Sequence, residues 1–266
     1  MQVIHPQGMF QGLPSEDVFM AVDDMGAELG MGYIIYQYQP HLYPDCPVNL
    51  YFTMECQSAA RYLLFGALVA RARQLRDNNP KDRARVYTNI APTDTRMKDF
   101  YFHNGFSCED TEDVLTLEIP EGDGRIPMSC AVAVVPLNTP EEQQAFLARM
   151  QQNDLNYMTA DYLATLQCQP HFLALGLYQN TELIGEIVMA GAGDTCDLAA
   201  VYIVPAKRRQ GMGRALVHRS MAVMAAEGVT TVTTRVMSRS VPQTHLMGDF
   251  AARVQGVTTI YPSLFL

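Results

Sequence analysis

The stretch Val201-Tyr202-Ile203-Val204-Pro205, followed by Lys207-Arg208-Arg209-Gln210-Gly211-Met212-Gly213-Arg214-Ala215-Leu216, reads as an apolar strand, a basic glycine-bearing loop and a helix start. The last ten residues hold four cations and two glycines, in a chain whose formal net charge is −9. Glycines at 211 and 213 let the backbone come close to a ligand and aim N–H groups at it. The helix beyond adds the positive end of its dipole, and Arg208, Arg209 and Arg214 add full charges. Together these make a site for a phosphate or pyrophosphate. Two familiar phosphate loops do not fit: there is no G-x-x-x-x-G-K-[ST], and G-x-G-x-x-G fails because residue 216 is Leu.

Working outward, the chain contains two copies of one pattern. Phe19 to Val22 leads through Asp23-Asp24-Met25-Gly26 into Glu28 to Ile34, and Phe172 to Leu175 leads through Gln179-Asn180 into Glu182 to Ile187. Each reads as a β-hairpin of alternating strands around a polar turn. Phe19 and Phe172 are offset by 153 residues, Glu28 and Glu182 by 154, and Tyr51 and Tyr202, on a third strand of each copy, by 151. A run of matches in order at nearly constant offset predicts internal duplication. In the first copy Ser58 is expected to cap a helix from Ala59 to about Leu75, and in the second a helix runs from Gly211 to Glu227 with Gly228 at C′. Each helix leads into a β-branched strand, at 85–90 and 229–236. The second copy also has a leader: a strand at 129–135, a helix opened by a Thr139–Glu142 capping box with Pro140 at its first position, and a short helix starting at Thr159. The segment 120–127, rich in Gly, Asp and Pro, is the expected linker, which divides the chain into domains at 1–122 and 128–266.

Bulk composition bounds the function. Hydrophobic residues at 48% suffice for real cores, and no apolar run approaches the roughly 20 residues of a membrane span. The N-terminal stretch lacks a basic segment followed by an apolar one, so no secretory signal is expected. Six scattered cysteines without metal-type spacing read as reduced thiols in a cytoplasmic protein. The acidic balance argues against a nucleic-acid binder, which needs a broad basic surface. His41, His103, His171 and His218 have no spacing that suggests a metal, and none is expected.

The loop with its upstream strand resembles the acetyl-CoA loop of the GNAT acetyltransferase superfamily, whose pattern Arg/Gln-x-x-Gly-x-Gly/Ala is matched by Arg208-Arg209-Gln210-Gly211-Met212-Gly213. The resemblance implies an α/β (α+β) fold of two GNAT-like domains, each a mixed, mostly antiparallel twisted sheet flanked by helices. It also implies Ile203 and Val204 at the acetyl and pantetheine end of acetyl-CoA, with Arg208, Arg209, Gln210, Gly211, Met212, Gly213 and Arg214 around the pyrophosphate. In the first copy Phe100-Tyr101-Phe102-His103-Asn104-Gly105-Phe106 resembles the family's fourth-helix signature, and Tyr101 falls where a hydroxyl commonly protonates the leaving thiolate. The loop before that copy's helix, Met54-Glu55-Cys56-Gln57-Ser58-Ala59-Ala60, has no glycine and carries an acid, so the first copy reads as degenerate.

The second copy lacks the tyrosine. Counting back from Gly256, as Tyr101 stands from Gly105, lands on Ala252. His245, Ser238, Tyr261 and solvent remain as candidate proton donors. Asp197 and Glu186 are the strand acids expected to act as general base toward an amine. The implied activity is acetyl-CoA-dependent N-acetyl transfer by direct attack, with a small-molecule amine more natural than a protein as acceptor. The first copy is expected to be a structural partner, and the assignment leaves room for a homodimer. A non-catalytic acetyl-CoA sensor or scaffold is the alternative.

Overall fold

The computed structural model describes residues 1–266 apart from Gln11 and His41, so the histidine reading at His41 lies outside the described residues. The chain divides into two compact units, Met1–Glu112 with Thr258–Leu266, and Asp113–Val257.

The first unit holds β1 (Gln2–Ile4), β2 (Val18–Val22), β3 (Glu28–Tyr38), β4 (Val48–Cys56), α1 (Arg61–Arg76), β5 (Ala84–Tyr87) and α2 (Thr95–His103). Asp23 shapes the β2–β3 turn, its carboxylate accepting from the N–H groups of Met25 and Ala27 at 2.8 Å each. Pairing is antiparallel except between β4 and β5, which run parallel because α1 crosses between them. One sheet face, Ile34, Leu50, Phe52 and Val86, buries against Leu64, Leu68 and Ala72 of α1. The expected cap at Ser58 does not form. Ala60 precedes the helix already in right-handed helical geometry, and the Ser58 hydroxyl instead accepts from Arg96 at 2.9 Å.

In the second unit follow β6 (Thr111–Leu117, beginning in the first unit), β7 (Cys130–Val134), α3 (Pro140–Gln152), α4 (Ala160–Gln167), β8 (His171–Gln179), β9 (Glu182–Ala192), β10 (Thr195–Ile203), α5 (Met212–Ala226), β11 (Thr231–Met237), α6 (Val241–Gly248) and β12 (Arg253–Ile260); β13 (Ser263–Phe265) closes the chain. The capping box at Thr139 and Glu142 is present, with both reciprocal hydrogen bonds. Thr159 caps α4 through Tyr162 N. Gly228, at φ +95°, ends α5 as expected: its N–H reaches Ala225 O and that of Val229 reaches Met224 O, the paired bonds of a Schellman motif. Phe146, Met150, Leu163 and Leu166 of α3 and α4 pack on one sheet face, against Ala174, Val188 and Ala190. Leu216, Val217, Met221 and Met224 of α5 pack on the other, against Leu175, Ile187 and Leu198.

The sheets run β1-β2-β3-β4-β5-β13 and β12-β6-β11-β10-β9-β8-β7. The last strand of the first copy therefore lies in the second copy's sheet, and the last strand of the chain completes the first copy's sheet on β5. The compact units follow this exchange and differ from the division at 120–127. Within that segment Asp123 O accepts from Arg219 Nη1 at 3.0 Å, and a Cβ at Gly124 would stand 2.7 Å from Arg219 N, so it packs against α5. Among the described residues no helix is long and apolar enough to cross a membrane.

Candidate active site

The site begins where β10 leaves its neighbours. Toward β9 its antiparallel register shifts between Leu198 and Ala200, a bulge at Ala199. Toward β11 the parallel ladder spans Thr195–Thr231 to Leu198–Thr234 and ends there, although β10 continues to Ile203 and β11 to Met237. Side chains take up the carbonyls at this fork: Thr234 Oγ1 donates to Leu198 O at 2.9 Å, and Tyr157 Oη donates to Ala199 O at 3.0 Å. A Cβ at Gly185 would stand 2.6 Å from Tyr202 O, so glycine lets β9 press against the end of β10.

Beyond β10 the chain turns through Pro205–Lys207 into the loop. Arg209 and Gly211 both take left-handed backbone, at φ +60° and +76°. For Gly211 this costs nothing; for Arg209 it is strain held in place by the loop. The hydrogen-bond ladder of α5 opens with Ala215 N donating to Gly211 O at 3.0 Å, so the N–H groups of Met212, Gly213 and Arg214 lie ahead of it. Arg209, Gln210 and Arg214 are exposed at the same helix end. The N–H groups, dipole and cations converge as an anion site requires.

The acids differ sharply. Glu186 is fully buried: Arg149 grips it with two bonds, Nε at 2.9 Å and Nη2 at 2.7 Å, and Tyr202 donates its hydroxyl to the same carboxylate. Asp197 is half-buried on the sheet face that carries α3 and α4, and accepts from Thr233 Oγ1 at 3.1 Å. Burial raises its pKa above the usual carboxylate value, while the Thr233 bond and the Arg235 charge pull the other way.

Residues 134–247 match the acetyltransferase (GNAT) family. This segment is a GNAT domain. The chain's fold is similar to that of a GCN5-related N-acetyltransferase from Sphaerobacter thermophilus, at 14% identity and a TM-score of 0.50, covering 96% of this chain and 82% of that one. It is also similar to Eis1 from Mycobacterium abscessus, at 12% identity and a TM-score of 0.52, covering 92% of this chain and 63% of that one. At such identities the likeness concerns the fold. No curated protein matches the chain.

Several expected site residues of the GNAT domain have other work. Met212 is buried in the α5 core with its sulfur 3.9 Å from Cys130 Sγ, so only its backbone faces the loop. Arg208 turns back on the strand, Nε donating to Ile203 O at 2.7 Å; burial lowers its pKa and the Asp154 charge opposes that. Arg208 is a brace between loop and strand. Gln210 Nε2 donates to Ala206 O at 3.4 Å. Glu186, expected as a general base, is instead fully buried, with its carboxylate taken up by Arg149 and Tyr202. His245 lies exposed on α6, two residues and about 200° around the helix from buried Met247. Tyr261 belongs to the first unit, where its ring lies 6.2 Å from Tyr87 and burial raises its pKa to about 12.

Ala252 does not stand opposite Tyr101. Gly256 lies within β12, whereas the left-handed residue after α6 is Ala251, at φ +48°. Gly105 is the left-handed residue after α2, at φ +85°. Four residues before each stand Met247 and Tyr101, both buried. The tyrosine's counterpart is therefore Met247. Tyr157, in the turn between α3 and α4, and Arg149 and Tyr162, on those helices, were missed because residue type alone does not say which of them stands against the sheet. Arg235 left a signal: it is the one charge in the strand Thr231–Met237.

Proposed function

We propose that the GNAT domain transfers an acetyl group from acetyl-CoA to the amine of a small molecule by direct attack. The observation that carries this reading is the bulged and forked end of β10 running into a left-handed loop at the start of α5. In this reading Ile203 and Val204 flank the acetyl and pantetheine end. The N–H groups of Gly211, Met212, Gly213 and Arg214 hold the pyrophosphate with the charges of Arg209 and Arg214, and Arg208 fixes the loop to the strand.

An alkylammonium with a pKa near 10 offers little free amine at neutral pH. Asp197 accepts the proton, directly or through water, and the raised pKa that burial gives it brings it closer to the working pH of a general base. The free amine attacks the thioester carbonyl, the nitrogen of the tetrahedral adduct gives its second proton to solvent, and collapse of the adduct forms the amide as the C–S bond breaks. With Met247 in the tyrosine's position, solvent supplies the proton to the thiolate. The first unit is a scaffold without a cofactor site in this reading.

The test is CoA-thiol release with a panel of amines, beside the melting temperature with and without acetyl-CoA. Turnover with at least one amine, lost in Gly211→Glu, supports the reading. Binding without release for every acceptor would instead support a non-catalytic sensor, the reading that Met247 favours. If acetyl-CoA leaves the melting temperature unmoved and no amine is acetylated, both are wrong.

A further inference from the structure

We propose that Asp197 and Arg235 together select an acceptor bearing a carboxylate on the carbon next to its amine, an α-amino acid or an equivalent zwitterion. This rests on the acetyltransferase reading above and names the acceptor class that reading leaves open.

Asp197 on β10 pairs with Thr233 on β11, and Arg235 is two residues further along the same strand, on the same face. The β10–β11 ladder has ended one residue earlier, at Thr234, so Arg235 stands beside the mouth of the fork. The face is the one that α3 and α4 cover. Tyr157 and Tyr162 wall it, their ring centroids 6.4 Å apart and tilted by 57°. Tyr157 is fixed there by its bond to Ala199 O, the bulged residue of the fork.

The guanidinium of Arg235 is exposed, with no hydrogen bond or ion pair to any described residue, yet its charge is felt by both Asp197 and Tyr162. Other arginines of the fold are committed: Arg149 to Glu186, Arg85 to Asp110, Arg208 to Ile203 O. Arg235 thus has no pairing task among the described residues. Its planar fork suits a carboxylate.

The placement agrees. Asp197 and Arg235 stand on one face of adjacent strands, diagonal to each other across the end of the β10–β11 ladder. An acid and a guanidinium so placed can each make a charged hydrogen bond of about 2.8 Å, one to the ammonium and one to the carboxylate of a small zwitterion. The ammonium then faces Asp197 and gives it the proton, the nitrogen takes the acetyl group, and the carboxylate stays on Arg235 unchanged. A diamine would set a second cation against Arg235, which like-charge repulsion disfavours.

The test compares matched pairs as acceptors in the CoA-release assay: L-tyrosine with tyramine, L-lysine with cadaverine, L-phenylalanine with phenethylamine. In at least one pair the amino acid should exceed its decarboxylated partner in kcat/KM by about tenfold or more. Arg235→Gln should bring that ratio toward one, chiefly through KM of the amino acid, and Arg235→Lys should keep part of it. The acetyl-CoA-induced rise in melting temperature, measured on each variant, reports that the fold and cofactor site are intact. Turnover of the decarboxylated amines at equal or higher kcat/KM overturns this inference and leaves the acetyltransferase reading standing. A preference for the acid that persists in Arg235→Gln overturns the role of Arg235. Absence of turnover with both members of every pair sinks the acetyltransferase reading, and this inference with it.

Discussion

The two copies share a strand–helix–strand plan but diverge at one strand end. In the first, β4 pairs with β3 from Val48–Tyr38 to Cys56–Gly30 without a register shift, and α1 then begins behind Ala60 with no left-handed glycine. In the second, β10 is bulged at Ala199, leaves β11 after Leu198 and passes through left-handed Arg209 and Gly211 into α5. The aromatic end shows the reverse. Tyr101 is enclosed by Phe52, Phe65 and Phe106, and burial raises its pKa well above the usual range. Met247 fills that position in the second copy. A straight strand satisfies its own backbone, whereas a bulged and forked one leaves groups to offer a ligand. The difference is the ground for proposing binding in the second copy and packing in the first.

The comparison would break most visibly at Asp197. Asp197→Asn is expected to lower kcat/KM by roughly 10²–10⁴, the usual range for a lost general base. Because burial raises this carboxyl's pKa, the acidic limb of the wild-type profile should lie above the ordinary aspartate value and be absent in the variant. The sign for stability is opposite to that of a paired carboxylate. A raised folded-state pKa means that stability is lost as pH rises through it, so Asp197→Asn should melt higher than wild type at neutral pH and no higher under strongly acidic conditions. A variant that keeps the limb would remove Asp197 from the chemistry.

Next in size is Gly211→Glu, which puts an acid and a left-handed penalty where an anion should bind. Acetyl-CoA affinity should fall about 100-fold or more by calorimetry. An acid placed in the first copy's loop, Gln57→Glu, should leave affinity as it is. Equal effects would erase the distinction between the copies.

Met247→Tyr restores the missing hydroxyl. If thiolate protonation limits turnover, kcat should rise by about tenfold, and an unchanged kcat assigns the proton to solvent for good. The smallest effect is expected at Tyr101→Phe: about 1 kcal/mol or less of stability from the lost hydroxyl in a denaturant titration, and no change in kcat. A fall in kcat there would overturn the first copy's role as scaffold.

Much of the fold was legible because it rests on local signals. The capping box at Thr139, the cap at Thr159 and the glycine stop at Gly228 all stand where short-range chemistry put them. Ser58 failed as a cap because the Arg96 guanidinium, 38 residues away, took its hydroxyl. The candidate site was legible at Gly211 and the loop cations, where backbone freedom and charge sit in one decapeptide. It was illegible at Glu186, a strand carboxylate like Asp197 that is set apart by what packs against it. Arg149 comes from another helix, 37 residues away in the chain, and seals Glu186 completely.

The sequence by itself determined the duplicated plan, the helix ends and the anion-binding loop, since each depends on residues within a few positions of one another. Only the tertiary structure decided that β6 joins the second sheet and β13 the first, because strand pairing is a choice among distant partners that alternation alone does not rank. It also decided which acid is sealed and which stays partly open, and that Met247 stands four residues before the left-handed residue that follows α6. Those outcomes depend on burial and on where a helix ends in space, and neither is written in the spacing of residues along the chain.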